Sequence, residues 1–115
     1  SFLLPKIIGI KRAKELALTN RKLSAQQALD WGLINEVVPA DELQAQALKL
    51  ATTLSQGATQ ALGSVKSLFS SAHNESLEGQ MTLEAAAITK NVKSRDGQEG
   101  IQAFLERRQP NFTGE

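Results

Sequence analysis

The chain offers few side chains whose type and spacing could do chemistry. His73 is its only histidine and lies beside Asn74 in a polar stretch, without a paired nucleophile or a second residue at metal-ligand spacing. Glu15 and Glu84 lie in predicted helices, and acid/base catalysis would require their carboxylates to converge in one pocket. A solvated linker histidine and surface ion pairs are the favoured interpretation over catalysis. We therefore predict no catalytic residue and no metal ligand.

Two adjacent cations, Arg107 and Arg108, lie at the end of the last predicted helix, and Phe104 lies one turn before them. Cations at the C-terminal end of a helix interact favourably with its dipole, so a structural role alone could explain both arginines. Phe104, like Trp31 and Phe69, is better explained by core or interface packing than by ligand stacking. Residue chemistry alone leaves a binding role at this helix end open.

Composition excludes several classes of function. The 115 residues carry 13 basic and 12 acidic side chains, so the net charge of +1 provides no field for nucleic acid or a membrane surface. Cysteine is absent, which rules out disulfides and thiolate chemistry. No stretch of about 18 apolar residues and no signal-peptide pattern is present. We expect a soluble, cytoplasmic protein that binds neither nucleic acid nor membrane.

The segment from Leu23 to Pro39 has the clearest local signals. Ser24 followed three residues later by Gln27 predicts a capping box at a helix start, and Gly32 predicts the stop of that helix. The branched apolar residues between 33 and 38 are too few for a helix, and Pro39 ends them. A short strand or extended segment is therefore expected after the helix.

Apolar residues recur at helical spacing in five further segments. Asp96 is expected to cap the last of them, with Glu99 as its capping-box partner. No internal repeat interrupts the pattern. The fold class predicted is mainly α, with about six helices and one short extended segment; the further helices are expected near residues 11–19, 41–56, 59–72, 76–92 and 96–109.

Three segments, in this order, resemble the enoyl-CoA hydratase/isomerase (crotonase) family. Leu-Pro-Lys-Ile-Ile-Gly at residues 4–9 is similar to the family's Leu-Pro-Arg-x-Ile-Gly. Ser-Ala-Gln-Gln-Ala-Leu-Asp-Trp-Gly-Leu-Ile at residues 24–34 is similar to Ser-Ala-x-x-Ala-x-x-x-Gly-Leu-Val. Residues 99–112, from Glu-Gly-Ile-Gln-Ala-Phe to Pro-Asn-Phe, resemble the family's closing Glu-Gly-x-x-Ala-Phe-x-Glu-Lys-Arg-x-Pro-x-Phe. The resemblance is to the last part of the family's chain only.

This resemblance implies the C-terminal helical part of a crotonase-like (ClpP/crotonase) fold. Residues 1–39 would be the tail of the crotonase core, a helical hairpin plus a short strand, and residues 40–115 a helical oligomerisation and lid domain. The family's trimers and hexamers imply a homo-oligomer, with domain exchange open to a fragment. A start at Ser1-Phe2 without methionine is what a truncated or proteolysed product would show.

The resemblance also implies an activity for the intact protein: hydration or isomerisation of an acyl-CoA thioester through an enolate. No metal or redox cofactor is implied, since CoA arrives with the substrate. Arg107 stands at the position of a family lysine that faces the CoA phosphate and adenine groups, and Phe104 matches a phenylalanine that lines the neighbouring part of that site. The family's oxyanion hole belongs upstream of Ser1, so this chain alone is predicted to be inactive.

Two questions stay open at this stage. The residues do not distinguish a hydratase from an isomerase, and some segments resemble phenylacetate-pathway isomerases as much as hydratases. A stand-alone helical interaction module without a connection to CoA is the alternative from another class. A reading frame upstream of Ser1 that encodes an oxyanion segment would decide between the two.

Overall fold

Helices account for all of the regular structure in the computed structural model, which describes residues 1–115. There are seven, and no residue forms a β-strand. The prediction of a mainly α chain is confirmed, with one short helix more than expected at the N-terminus. In chain order the helices are α1 (Leu3–Ile8), α2 (Ile10–Thr19), α3 (Ala25–Asp30), α4 (Leu43–Ser55), α5 (Thr59–Ser71), α6 (Leu77–Lys93) and α7 (Arg95–Glu106).

The chain divides into two compact units, Ser1–Gln44 and Ala45–Glu115. The boundary between these units falls within the first turn of α4, and the functional division between residues 39 and 40 stays a prediction. The roles assigned to the two parts stay predictions.

The first unit is built from α1, α2 and α3 around three small or branched residues, Ile8, Ala13 and Ala28. Pro5 lies in the first turn of α1, where its missing N–H costs no intrahelical bond. The predicted capping box is present, because Gln27 N–H donates to Ser24 Oγ at 3.1 Å and Ser24 N–H donates to Gln27 Oε1 at 3.4 Å. Gly32 has φ of 73°, as expected of the residue that ends this helix.

Trp31 is half-buried and lies close to two cations of the same unit. The Arg12 guanidinium carbon lies 4.9 Å from the ring centroid and that of Arg21 lies 5.1 Å from it. Arg21 also forms an ion pair of 2.7 Å with Glu15. These contacts tie α2 to the end of α3, so the interpretation of Trp31 as a packing residue fits its environment.

The strand expected between residues 33 and 38 does not form. These residues adopt bends and irregular backbone, and the side chains of Ile34 and Val37 are 37% and 41% exposed. A strand requires a neighbour with which to exchange backbone hydrogen bonds, and no segment of this chain forms a β-ladder. The segment forms neither helix nor strand, so the strand prediction was wrong for this chain.

In the second unit α5 packs on α6, and α6 packs on α7. The first turn of α7 passes so close to α6 that a Cβ at Gly97 would overlap the Asn91 carbonyl group. Only Asp96 and Ala103 are fully buried. The apolar stripes of the helices remain largely exposed, for example Phe69 (74%), Leu77 (72%) and Ile88 (62%).

Candidate functional site at the end of helix α7

The N-cap of helix α7 lies two residues earlier than its acidic pattern suggests. Ser94 is the N-cap, since its Oγ accepts a hydrogen bond of 3.0 Å from Gly97 N–H. The prediction that Asp96 caps this helix with Glu99 as partner was therefore wrong. Asp96 lies in the first turn and is only 2% exposed. Both carboxylates bind the chain that follows the helix instead.

The C-terminal tail, residues 111–115, folds back along α7. The buried Asp96 carboxylate accepts hydrogen bonds from Thr113 N–H at 2.7 Å and from Gly114 N–H at 2.8 Å. Glu99 accepts one from Asn111 N–H at 2.7 Å. The Phe112 ring lies over Gly100, close enough to touch a Cβ there. Because two carboxylates hold the tail, it forms one structural element with α7.

The helix ends in a Schellman motif at Arg107. Arg107 N–H donates to the Phe104 carbonyl at 3.2 Å, and Arg108 N–H donates to the Ala103 carbonyl at 3.0 Å. Arg107 accordingly has φ of 56° and ψ of 38°, the left-handed conformation in which glycine predominates. The one other non-glycine residue with positive φ is Asn20, whose type tolerates it well. Arg107 is thus an unfavourable residue for its backbone position.

Arg108 is fully engaged by two carboxylates. Its Nη1 and Nη2 donate to the two oxygens of Glu99 at 2.6 and 2.8 Å, and its Nε donates to Glu106 at 2.6 Å. The hydrogen bonds from Arg108 and then from the Asn111 N–H lower the pKa of Glu99 to about 2. Arg108, and then Gln102, lower the pKa of Glu106 as well. The Arg108 pKa is raised by the same two carboxylates.

The two residues singled out from the sequence lie together at this end, three positions apart. The Phe104 side chain is 83% exposed, and Arg107 is exposed and takes part in no ion pair. The structure therefore presents an unpaired guanidinium and an exposed aromatic side chain three positions apart at the end of α7. A CoA-binding role for either residue remains a prediction.

The other candidates are dispersed. His73 is exposed in the turn between α5 and α6, and Glu84 is exposed on α6. Glu15 pairs with Arg21 in the first unit. No group of three or more His, Cys, Asp or Glu side chains lies together in the chain. None of the seven helices has both the length and the apolar character needed to cross a bilayer.

Sequence reasoning missed the roles of Asp96, Glu99 and Arg108. Glu99 and Arg108 are nine residues apart, a spacing that does not bring side chains together on a helix. They meet because the chain reverses at Arg107, so only the cluster of charges in the closing segment could have hinted at the pair.

The lowered pKa of Glu99 predicts that its hydrogen bond with the Asn111 N–H of the C-terminal tail persists at acidic pH. A carboxylate with a pKa near 2 in the folded state, against 4.5 ordinarily, contributes stability that is complete above pH 4.5 and declines as the pH falls toward 2. In a pH titration, the Asn111 amide proton shift should stay constant from neutral pH to about pH 3 and change below it. In Glu99→Gln this transition should be missing. A midpoint near 4.5 in the unsubstituted chain would contradict the assigned ion pair.

At this end of the molecule, α7 closes in a chain reversal at Arg107 and the C-terminal tail folds back along the helix. The whole chain, residues 1–115, matches the family model for enoyl-CoA hydratase/isomerase. The chain belongs to the enoyl-CoA hydratase/isomerase family. The family prediction and the predicted fold class are confirmed.

Individual relatives support the family assignment. The chain is 40% identical over 114 residues to the 1,2-epoxyphenylacetyl-CoA isomerase of Escherichia coli K12, covering 99% of this chain and 44% of that protein. It is 37% identical to the mitochondrial enoyl-CoA hydratase domain-containing protein 3 of Danio rerio, over 87% of this chain and 35% of that protein. The crystal structure of an enoyl-CoA hydratase from Bacillus anthracis superposes with a TM-score of 0.89 and 36% identity, covering 97% of this chain and 43% of that one. The chain spans less than half the length of these relatives.

Proposed function

We propose that this chain is the C-terminal helical part of a protein that hydrates or isomerises an acyl-CoA thioester through an enolate. Family membership supports this proposal, together with similarity to both a CoA-thioester isomerase and enoyl-CoA hydratases. The acyl-CoA is the substrate, and CoA enters as part of it rather than as a separate cofactor. In the intact protein this part would close the CoA site and mediate subunit association.

The observation that carries the CoA-binding proposal is the arrangement at the end of α7. Arg107 occupies a backbone conformation that glycine would adopt at lower cost, and its guanidinium has no partner in the chain. An exposed aromatic side chain, Phe104, lies one turn away. A free cation and an exposed aromatic side chain within one turn of each other along the chain suit a ligand that joins phosphate groups to an adenine ring.

Activity measurements test the functional proposal. The intact protein should turn over crotonyl-CoA or a 3-enoyl-CoA, whereas the 115-residue chain should show no activity above a buffer control. The reason is that oxyanion stabilisation, which the family places in a segment outside this chain, is usually the largest catalytic contribution. Turnover by the isolated chain, in preparations free of host hydratase, would refute the assignment of roles. An inactive intact protein with both substrate types would favour a helical interaction module instead.

We further propose that α5 and α6 take part in homo-oligomerisation. Their exposed residues include Phe69, Ile88 and Met81, and such an apolar surface is normally covered by a partner. The isolated chain should sediment as an oligomer at high micromolar concentration, and Phe69→Lys should shift it toward monomer. Leu18→Lys, at an apolar residue 84% exposed in the first unit, is the matched control and should not. A monomer in the unsubstituted chain would count against self-association.

A further inference from the structure

Adjacent arginines at the end of α7 have opposite environments. Arg108 uses Nε, Nη1 and Nη2 to bind two carboxylates, whereas Arg107 forms no ion pair. We propose that Arg108 is a positioning residue: by occupying Glu99 and Glu106, it keeps both carboxylates from Arg107 and leaves that guanidinium available to an anionic ligand. The inference rests on the proposed CoA-binding role of Arg107 for its ligand, although not for its geometry.

The charges of the cluster make Arg108 necessary. Arg107, Arg108, Glu99 and Glu106 sum to zero, and removal of Arg108 leaves two carboxylates facing one arginine. Glu106 directly precedes Arg107 in the chain, so a freed Glu106 carboxylate has a cation within reach. An Arg107 captured in this way would offer less positive potential to a phosphate.

The geometry favours Arg108 over Arg107 as the partner of these carboxylates. Two parallel N–H···O bonds join Arg108 to Glu99, an arrangement with more geometric specificity than a single contact. Glu99 is also fixed by the Asn111 N–H, so its carboxylate is oriented before Arg108 binds. The chain reverses at Arg107, whose backbone is left-handed, and only Arg108 pairs with Glu99 and Glu106.

The proposal predicts non-additive effects on coenzyme A binding by the intact protein, measured calorimetrically with CoA itself. Arg108→Ala should lower the affinity by roughly fivefold to twentyfold, as expected for loss of favourable charge near a phosphate. In an Arg107→Gly background, Arg108→Ala should produce a clearly smaller loss than in the unsubstituted protein, because the part that acts through Arg107 is gone and only repulsion by the two freed carboxylates remains. Arg108→Lys keeps a cation between the carboxylates and should recover affinity to within about threefold of the unsubstituted protein. Additive losses in the double variant would overturn the proposal.

A second measurement does not involve CoA and separates the positioning role of Arg108 from the CoA-binding role of Arg107. The pKa of Glu106, followed by NMR, should be unchanged by Arg107→Gly, since Arg108 holds that carboxylate. It should stay low in Arg108→Ala, where Arg107 replaces Arg108, and rise in the double variant. If Glu106 responds to Arg107→Gly alone, or rises equally in Arg108→Ala and the double variant, the positioning role is refuted. If these shifts occur as expected but Arg107→Gly leaves CoA affinity unchanged, only the CoA-binding proposal for Arg107 fails.

Discussion

Replacing Arg107 by glycine should weaken acyl-CoA binding to the intact protein by about fivefold to a hundredfold while leaving α7 at least as stable as before. The two effects have opposite signs because they have separate causes. The side chain provides charge to the ligand, whereas the backbone of the same residue is left-handed, with φ of 56°. Glycine removes the charge and adopts the left-handed backbone conformation at lower cost.

The size of the binding loss depends on how far the contact is desolvated. A charge-assisted hydrogen bond contributes about 1.5 to 3 kcal/mol when water is excluded and under about 1 kcal/mol when exposed. The C-terminal dipole of α7 by itself disfavours an anion, so a cation is required there for phosphate to bind. Because CoA's phosphates are remote from the reacting carbon, the loss should appear as weaker binding rather than slower chemistry.

Three variants make this test specific. Arg107→Lys keeps the charge and should lose less affinity than Arg107→Gly. Arg107→Ala should lose as much affinity as Arg107→Gly, but it should not relieve the backbone strain. Lys66→Ala on α5 is the control for overall charge, since Lys66 is exposed and forms no ion pair. Arg108 is unsuitable as that control because two carboxylates bind it. If the Arg107 and Lys66 variants show equal, small losses that vanish together at moderate salt, Arg107 is only a helix-end cation.

Replacing Asp96 by alanine should release the C-terminal tail from α7. The buried carboxylate accepts hydrogen bonds from the Thr113 and Gly114 amides, and the loss of these charge-assisted bonds should cost about 1.5 to 3 kcal/mol. The cost is limited because a terminal tail can detach and hydrate its freed N–H groups. Hydrogen exchange at these two amides should therefore accelerate by about one to two powers of ten.

Arg95→Ala is the matched control for the Asp96 substitution. Arg95 neighbours Asp96 and pairs with Glu115 at 3.0 Å, but the two side chains are 73% and 68% exposed. Such a pair is weak, so its loss should change stability by less than about 0.5 kcal/mol. Equal exchange rates in the two variants would show that the buried carboxylate does not hold the tail.

Features set by neighbouring residues could be predicted from the sequence. The capping box at Ser24 and the stop at Gly32 each depend on residues within one turn, and both are present as expected. The amphipathic stripes predicted the bounds of α4, α5 and α6 to within two residues, because helical hydrogen bonds connect residues four apart, whereas α7 ends three residues before the predicted end. The family motifs are also contiguous, which is why the resemblance was visible in the residues alone.

Features set by distant residues were decided by the tertiary structure. The apolar residues at 33–38 suit a strand, but a ladder requires a second segment that this chain does not provide. The Asp96 pattern suits a helix cap, yet its carboxylate binds amides 17 and 18 residues further along the chain. Arg107 and Arg108 are adjacent residues of the same type, so local pattern gives them the same helix-end role. Only the chain reversal at Arg107, which brings Glu99 to Arg108 and not to Arg107, leaves Arg107 a free cation.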